Sequence, residues 1–143
     1  MSRQEVSQFF DDYRALFNRL DGNAVANRWH IPSGITHAAQ TGRDAALTWW
    51  TEDAPMRKNM NALCDVYRNT GYDHAEYAME SFVPMGERHA FALLHWTLKR
   101  HDGSLLQSFR TGYNLMRTES GPKVILVTQF EEDIDEMKSH AVN

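Results

Sequence analysis

Apolar residues near the start of the chain keep to one side of a helix: Val6, Phe9, Phe10, Tyr13, Leu16, Phe17 and Leu20 recur at the i, i+3, i+4, i+7 spacing. Ser2 and Glu5 form a capping box in front of them. Asp21-Gly22 predicts the stop, glycine being the residue that accepts a left-handed turn, and Ala24 to Trp29 add at most two helical turns before Pro32. Ile31 to Gln40 fits a short strand or an extended loop. Thr41 with Asp44 repeats the helix-start pattern and predicts a helix over Arg43 to Trp50. Pro55 opens a further helix with Met56, Met60, Leu63 and Tyr67 on one face, stopped by Gly71.

After Gly71 the period changes to two. Turn signals at Pro84-Met85-Gly86-Glu87, Asp102-Gly103 and Glu119-Ser120-Gly121-Pro122 divide the rest into four long antiparallel strands. Helices followed by a strand meander predict an α+β fold, with helices covering one face of a strongly bent sheet. A two-residue turn at Asp102-Gly103 sets the register. One face then gathers Ala90, Ala92, Leu94, Trp96 and Leu98 with Leu105, Gln107, Phe109, Thr111, Tyr113 and Leu115. Continued through the outer turns, it adds Tyr77, Met79, Ser81 and Val83, and Val124, Leu126, Thr128 and Phe130. This nearly uncharged face is the predicted partner of the helices. The opposite face mixes Phe91, Leu93, Leu106, Met116, Ile125 and Val127 with His95, Arg110, Asn114 and Gln129. Such a patch predicts a homodimer packed sheet to sheet through the outer face.

Composition narrows the function classes. At 143 residues, 42% hydrophobic and 24% charged, the chain has the balance of one domain over residues 1–143, with 132–143 a charged tail expected to fray. No apolar run approaches the roughly 20 residues a spanning helix needs, which predicts no membrane association. No secretory leader is evident and Cys64 is the single cysteine, so a cytoplasmic location is expected and a disulfide framework is excluded. A net charge of −4 with scattered Lys and Arg argues against nucleic-acid binding. GxGxxG, GxxxxGK, GxSxG, HxxxH and HxH are all absent, so neither a cofactor nor a metal is expected.

Two stretches carry a family likeness. The opening FFDDYRALFNRLDGNAVANRW and the closing FRTGYNLMRTESGPKVILVTQFEED resemble the first helices and last hairpin of the nuclear transport factor 2-like superfamily. These cone-shaped α+β barrels include ketosteroid isomerase and polyketide cyclases of the SnoaL type. The resemblance implies a pocket between helices and concave sheet, and commonly a dimer through the convex side. Carried over from ketosteroid isomerase, one oxyanion-hole donor falls on Tyr13 and the other near Tyr113 or Asn114. The family's general-base Asp would lie within HIPSGITHA, which here holds no acid, only His30 and His37. An oxyanion hole without that base binds a carbonyl but does not run the isomerisation.

These readings converge on a cavity for a small, largely apolar molecule bearing one oxygen. Tyr13 and Tyr113 are its candidate anchors, with Trp49, Tyr77, Trp96 and Thr111 around them. No catalytic residue is assigned. One alternative is a cyclase, dehydratase or isomerase with His30 or His37 as base; another is an interaction module with a closed cavity. His95 and Arg110, pointing away from the helices, suit a dimer interface. Cys64, beside an apolar helix face, suits an inert buried thiol.

Overall fold

The computed structural model describes residues 1–38 and 42–130. Helix α1 (Arg3–Asn18) starts where Ser2 accepts a hydrogen bond from the Glu5 amide at 3.1 Å, and it buries Val6, Phe9, Phe10, Tyr13 and Leu16. Helix α2 (Gly22–Ala26) is capped by the Asp21 carboxylate on the Ala24 amide at 3.0 Å. Between them Leu20, not the glycine, takes the left-handed conformation (φ 53°). Gly22 serves close approach instead: a Cβ there would stand 2.8 Å from the Cα of Asn61. That asparagine belongs to α3 (Asp53–Arg68), which buries Met56, Met60, Cys64 and Tyr67.

Six strands follow these helices or lie between them: β1 (Trp29–Ala38), β2 (Ala45–Trp50), β3 (Tyr72–Met85), β4 (His89–Arg100), β5 (Leu105–Thr118) and β6 (Gly121–Phe130). They form one open mixed sheet in the order β2-β1-β6-β5-β4-β3. The four-strand antiparallel meander is present as expected, and β1 joins it through a parallel pairing with β6. The segment open between strand and loop is therefore a strand. The helix expected over Arg43 to Trp50 is instead β2, paired antiparallel to β1 from Ala45 to Trp50. Backbone partners on β1 satisfy the amides and carbonyls along one side of this edge strand, and Thr48, Trp49 and Trp50 are strand formers, so tertiary pairing overrides the local helix-start pattern. Thr41 and residues 132–143 lie outside the described residues.

Trp96 and Tyr113 face the helices while His95 and Arg110 face away, as the register predicted. The route to that register differs. The β4–β5 connection spans His101, Asp102 and Gly103, because Arg100 pairs its amide with the Ser104 carbonyl at 2.9 Å. That longer loop alone would exchange the two faces of the sheet. A bulge cancels it: Lys99 pairs with Leu105 and Leu98 with Gln107, leaving Leu106 as the extra residue. Leu106 is consequently buried and Leu105 exposed, the reverse of the expectation.

Two further bulges revise the outer strands. Met79 pairs with Leu94 but Ser81 with Leu93, so Glu80 is extra and Phe82, paired with Ala92, packs on the core in place of Ser81 and Val83. Asn114 pairs with Leu126 but Leu115 with Val124, so Ile125 is extra. Beyond it Val127 and Gln129 turn inward, while Leu126, Thr128 and Phe130 take the outer face. Bulges bend and twist a sheet, which is what wrapping six strands around α1 and α3 requires. Among the described residues no helix is long and apolar enough to cross a membrane.

Candidate functional site

A cavity of about 60 Å³ remains between the helices and the inner face of the sheet. Tyr13 and Phe17 of α1 form one wall, Met60, Leu63 and Tyr67 of α3 another, and Trp29 and Ile35 of β1 a third. The sheet contributes Trp96, Leu98, Phe109, Thr111, Tyr113, Val127 and Gln129. No carboxylate, guanidinium, ammonium or imidazole of the described residues lines it.

Two indole–phenol pairs organise its polar atoms. Trp29 Nε1 donates to the Tyr13 hydroxyl at 3.0 Å, and Trp96 Nε1 donates to the Tyr113 hydroxyl at 2.9 Å. An indole N–H can only donate, so each phenol oxygen is fixed as acceptor and keeps its own O–H proton for another partner. The two phenol rings meet edge to face with centroids 6.3 Å apart. Burial is the main cause that pushes the Tyr13 hydroxyl well above the usual phenol range; the neighbouring Tyr113 adds to the shift and the Trp29 bond opposes it. Burial likewise raises Tyr113, against the opposing bond from Trp96. Both phenols are therefore neutral donors throughout the physiological range. The Thr111 hydroxyl lies toward Tyr113, yet its Oγ1, fully buried, makes no hydrogen bond of acceptable geometry.

Of the sequence-predicted site residues, Tyr13, Trp96, Thr111 and Tyr113 come together on this cavity. Tyr77 and Trp49 do not line it. The Tyr77 hydroxyl donates to Asp11 Oδ1 at 2.6 Å and lies 3.2 Å from the Ser7 carbonyl, so it fastens β3 to α1. Trp49, placed by β2 rather than by a helix, lies over Gly34: a Cβ on that glycine would stand 2.5 Å from Trp49 Cε3. Gly34 shares its face with Thr36, whose hydroxyl bonds Thr128 on the outer side of β6 at 3.3 Å, so Trp49 belongs to the outer face. Asn114, the other position suggested for the second donor, also faces outward between Phe91 and Leu126.

Neither candidate base reaches the cavity. His30 Nδ1 lies 3.1 Å from the Pro32 carbonyl and His37 Nδ1 2.8 Å from the Ala38 carbonyl, and neither ring is on the cavity wall. His95 Nε2 is 2.6 Å from Ser108 Oγ, and Arg110 pairs with Glu80 at 2.7 Å, both on the outer face. Cys64 is buried, and burial raises its thiol pKa, as an inert side chain requires. No group of three or more His, Cys, Asp or Glu among the described residues is placed to hold a metal.

The sequence pattern places Val127 and Gln129 outward, because nothing in it announces the Ile125 bulge that turns both onto the cavity wall. The bond from Trp29 to Tyr13 depends on where β1 begins against β6, a pairing with no local signal.

Helices packed on an open bent sheet, with one uncharged cavity between them, define the cone-shaped α+β class. Residues 4–132 match the family described as NTF2-like protein (DUF6841), and the chain belongs to it. No curated protein matches the chain. Among solved structures, it is similar to an NTF2-like protein of unknown function from Shewanella oneidensis, at TM-score 0.68 and 10% identity, covering 90% of this chain and 98% of that one. An NTF2-like protein with a cystatin-like fold from Novosphingobium aromaticivorans aligns at TM-score 0.64 and 16% identity, over 95% and 86% of the two chains. A ketosteroid isomerase-like protein from Erwinia carotovora atroseptica aligns at TM-score 0.60 and 14% identity, over 90% and 95%. At these identities the likeness is one of fold.

Proposed function

We propose that the protein binds a small, largely apolar molecule carrying an acceptor oxygen, with that oxygen between the hydroxyls of Tyr13 and Tyr113. The observation behind this reading is the double indole–phenol arrangement, which leaves two O–H donors on one uncharged cavity. Converging donors on a shared acceptor are how proteins hold a carbonyl or an enolate oxygen. Thr111 supplies a third hydroxyl beside them. The free volume selects for compact ligands. A dry cavity of about 150 Å³ accepts benzene; a six-membered ring would enter this one by displacing Met60 or Phe17.

Small ketones test the reading. Cyclohexanone and methylcyclohexane are similar in size and differ in the acceptor. Titration followed by NMR should give saturable binding of the ketone, much weaker binding of the hydrocarbon, and roughly three- to tenfold weaker ketone binding in Tyr13→Phe and in Tyr113→Phe. Equal affinity for the two compounds, or no binding of either, defeats the proposal.

The same reading includes a homodimer through the outer face. Support comes from apolar side chains seated there: Trp49 over Gly34 and Phe91 over Gly112, with Leu47 and Leu126 beside them. Trp49 and Leu47, two residues apart on one face of β2, remain 48% and 61% exposed in the single chain, an adjacent apolar pair that a second copy would cover. Sedimentation equilibrium should show a dimer that Leu93→Arg dissociates; a wild-type monomer at tens of micromolar contradicts it.

A further inference from the structure

A second cleft, larger and more polar than the cavity, lies where the α2–β1 connection, the first turn of α3 and the β5–β6 turn meet. Its volume is about 650 Å³. Its wall carries Arg28, Arg57, Lys123 and His30 against one carboxylate, Asp53.

That carboxylate is already taken. Arg57 grips Asp53 through Nε at 2.9 Å and Nη2 at 3.1 Å, and its remaining donors reach the Asn23 carbonyl at 2.9 Å and Asn27 Oδ1 at 2.8 Å. The pair is closed on itself and neutral. Arg28 and Lys123 are left over, and neither forms an ion pair with the described residues. The sheet sets them side by side. Trp29 pairs with Val124 in the parallel β1–β6 ladder, and the Val124 amide donates to the Arg28 carbonyl at 2.9 Å, so Arg28 and Lys123 each precede that pair on neighbouring segments.

Like charges placed opposite each other across a sheet disfavour the pairing that brings them together. Here they recur in a chain of net charge −4, with a cleft in front of them. An anion between the two removes the repulsion. Ser120 adds a hydroxyl donor on the same wall. His30 keeps its Nδ1 proton on the Pro32 carbonyl, since a carbonyl can only accept, and so leaves Nε2 unengaged.

We infer that this cleft binds a phosphate-type dianion, with Arg28 and Lys123 on either side of it. Two unpaired cations match a dianion better than a carboxylate. A guanidinium also offers the forked donor geometry that phosphate oxygens accept, while Lys acts as a point charge. The volume exceeds what the anion alone needs, which suits a phosphate borne on a small organic molecule. The inference is independent of the cavity and its tyrosines.

The test is an NMR titration of the full chain at constant ionic strength with inorganic phosphate, phenyl phosphate and chloride. Saturable shifts clustered at residues 28–31 and 120–123 are expected with both phosphates and not with chloride. Phenyl phosphate binding more tightly identifies an ester as the better ligand, and equal affinity identifies the free ion; each upholds a phosphate site. The Arg28→Gln/Lys123→Gln pair should weaken binding at least about tenfold, as loss of two charge-assisted contacts implies. Lys123→Gln alone, in the first residues of β6, should give a partial loss without disturbing the start of β1. Shifts that are linear in concentration, that appear equally with chloride, or that survive in the double variant would overturn the inference. Binding of cyclohexanone, measured in the same samples, reports on the cavity separately.

Discussion

Trp96 and Tyr113 lie diagonally across the β4–β5 pair, and the indole N–H of the first donates to the hydroxyl of the second at 2.9 Å in the buried interior. Replacing Trp96 with Phe removes the donor and leaves the Tyr113 oxygen buried with one partner fewer. The expected cost is about 1–3 kcal/mol, from the lost bond plus the space left by the smaller ring. Because the indole bond lowers the Tyr113 pKa against the dominant effect of burial, its loss raises that pKa further. Urea unfolding measures the loss of stability.

Gly34 offers a separate test, on the outer face. A Cβ there meets Trp49 Cε3 at 2.5 Å and the Thr48 carbonyl oxygen at 2.8 Å; the second neighbour is backbone and moves only if β2 moves. Gly34→Ala should destabilise the protein by about 1–3 kcal/mol through overpacking. It should also expose Trp49, read as a red shift of the tryptophan emission. Gly112→Ala, whose nearest neighbours are Phe91 ring atoms at 3.0 Å, should cost less because that ring can tilt. Equal effects at the two positions would contradict this account.

An exposed cluster where β3 begins against the β4–β5 turn gives a pH dependence. His74 Nδ1 lies 2.8 Å from Asp73 Oδ2, and His101 Nδ1 3.0 Å from Asp73 Oδ1, with Glu76 3.2 Å from His74 Nε2. The Asp73 bond, helped by Glu76, raises the His74 pKa above its ordinary 6.5, and the His74 and His101 bonds lower that of Asp73 below 3.8. The raised His contributes stability that is complete below its unfolded pKa and is lost as pH rises through the folded value. The lowered Asp contributes stability that is present above its unfolded pKa and is lost as pH falls through the folded value. Both contributions coexist between about pH 4 and 6.5. Asp73→Asn should flatten the stability profile at each edge of that window and return the His74 titration toward 6.5. The groups are exposed, so the effect is small and NMR titration of the imidazoles is its most direct measure.

The parts of the fold legible in the sequence are those governed by local periodicity. The α1 face from Val6 to Leu16, the α3 face from Met56 to Tyr67 and the alternation of β4 each follow from side-chain spacing. Illegible parts depend on partners distant in sequence. Ala45 to Trp50 became a strand because β1 supplies its hydrogen bonds, and β1 itself completes the sheet only by meeting β6 in parallel. The bulges at Glu80, Leu106 and Ile125 carry no glycine or other local marker, yet each reverses which residues face inward beyond it. Tyr13, Trp96, Thr111 and Tyr113 share the cavity wall because the central β4–β5 register holds from Leu98 to His89 and because α1 keeps its period. Trp49 lies elsewhere because a strand stands where a helix is expected. Tyr77 kept its inward register but found a carboxylate on α1 before it reached the cavity.

Thr111 sets stability against binding at one atom. Its hydroxyl is fully buried on the cavity wall and, among the described residues, has only the nearby Tyr113 hydroxyl, in a geometry too poor for a full hydrogen bond, so folding removes it from water without full compensation. Valine has nearly the same shape and carries no such group. Thr111→Val should therefore stabilise the protein, by about 1 kcal/mol, where most buried substitutions destabilise. If the hydroxyl is retained because it meets a ligand oxygen beside Tyr113, the same variant binds cyclohexanone more weakly while melting at a higher temperature. That opposite movement is the expected signature of a residue kept for binding at the expense of the fold. A variant that is less stable would show that Thr111 has a protein partner, and one that gains stability with ketone affinity unchanged would confine the ligand oxygen to the two phenols.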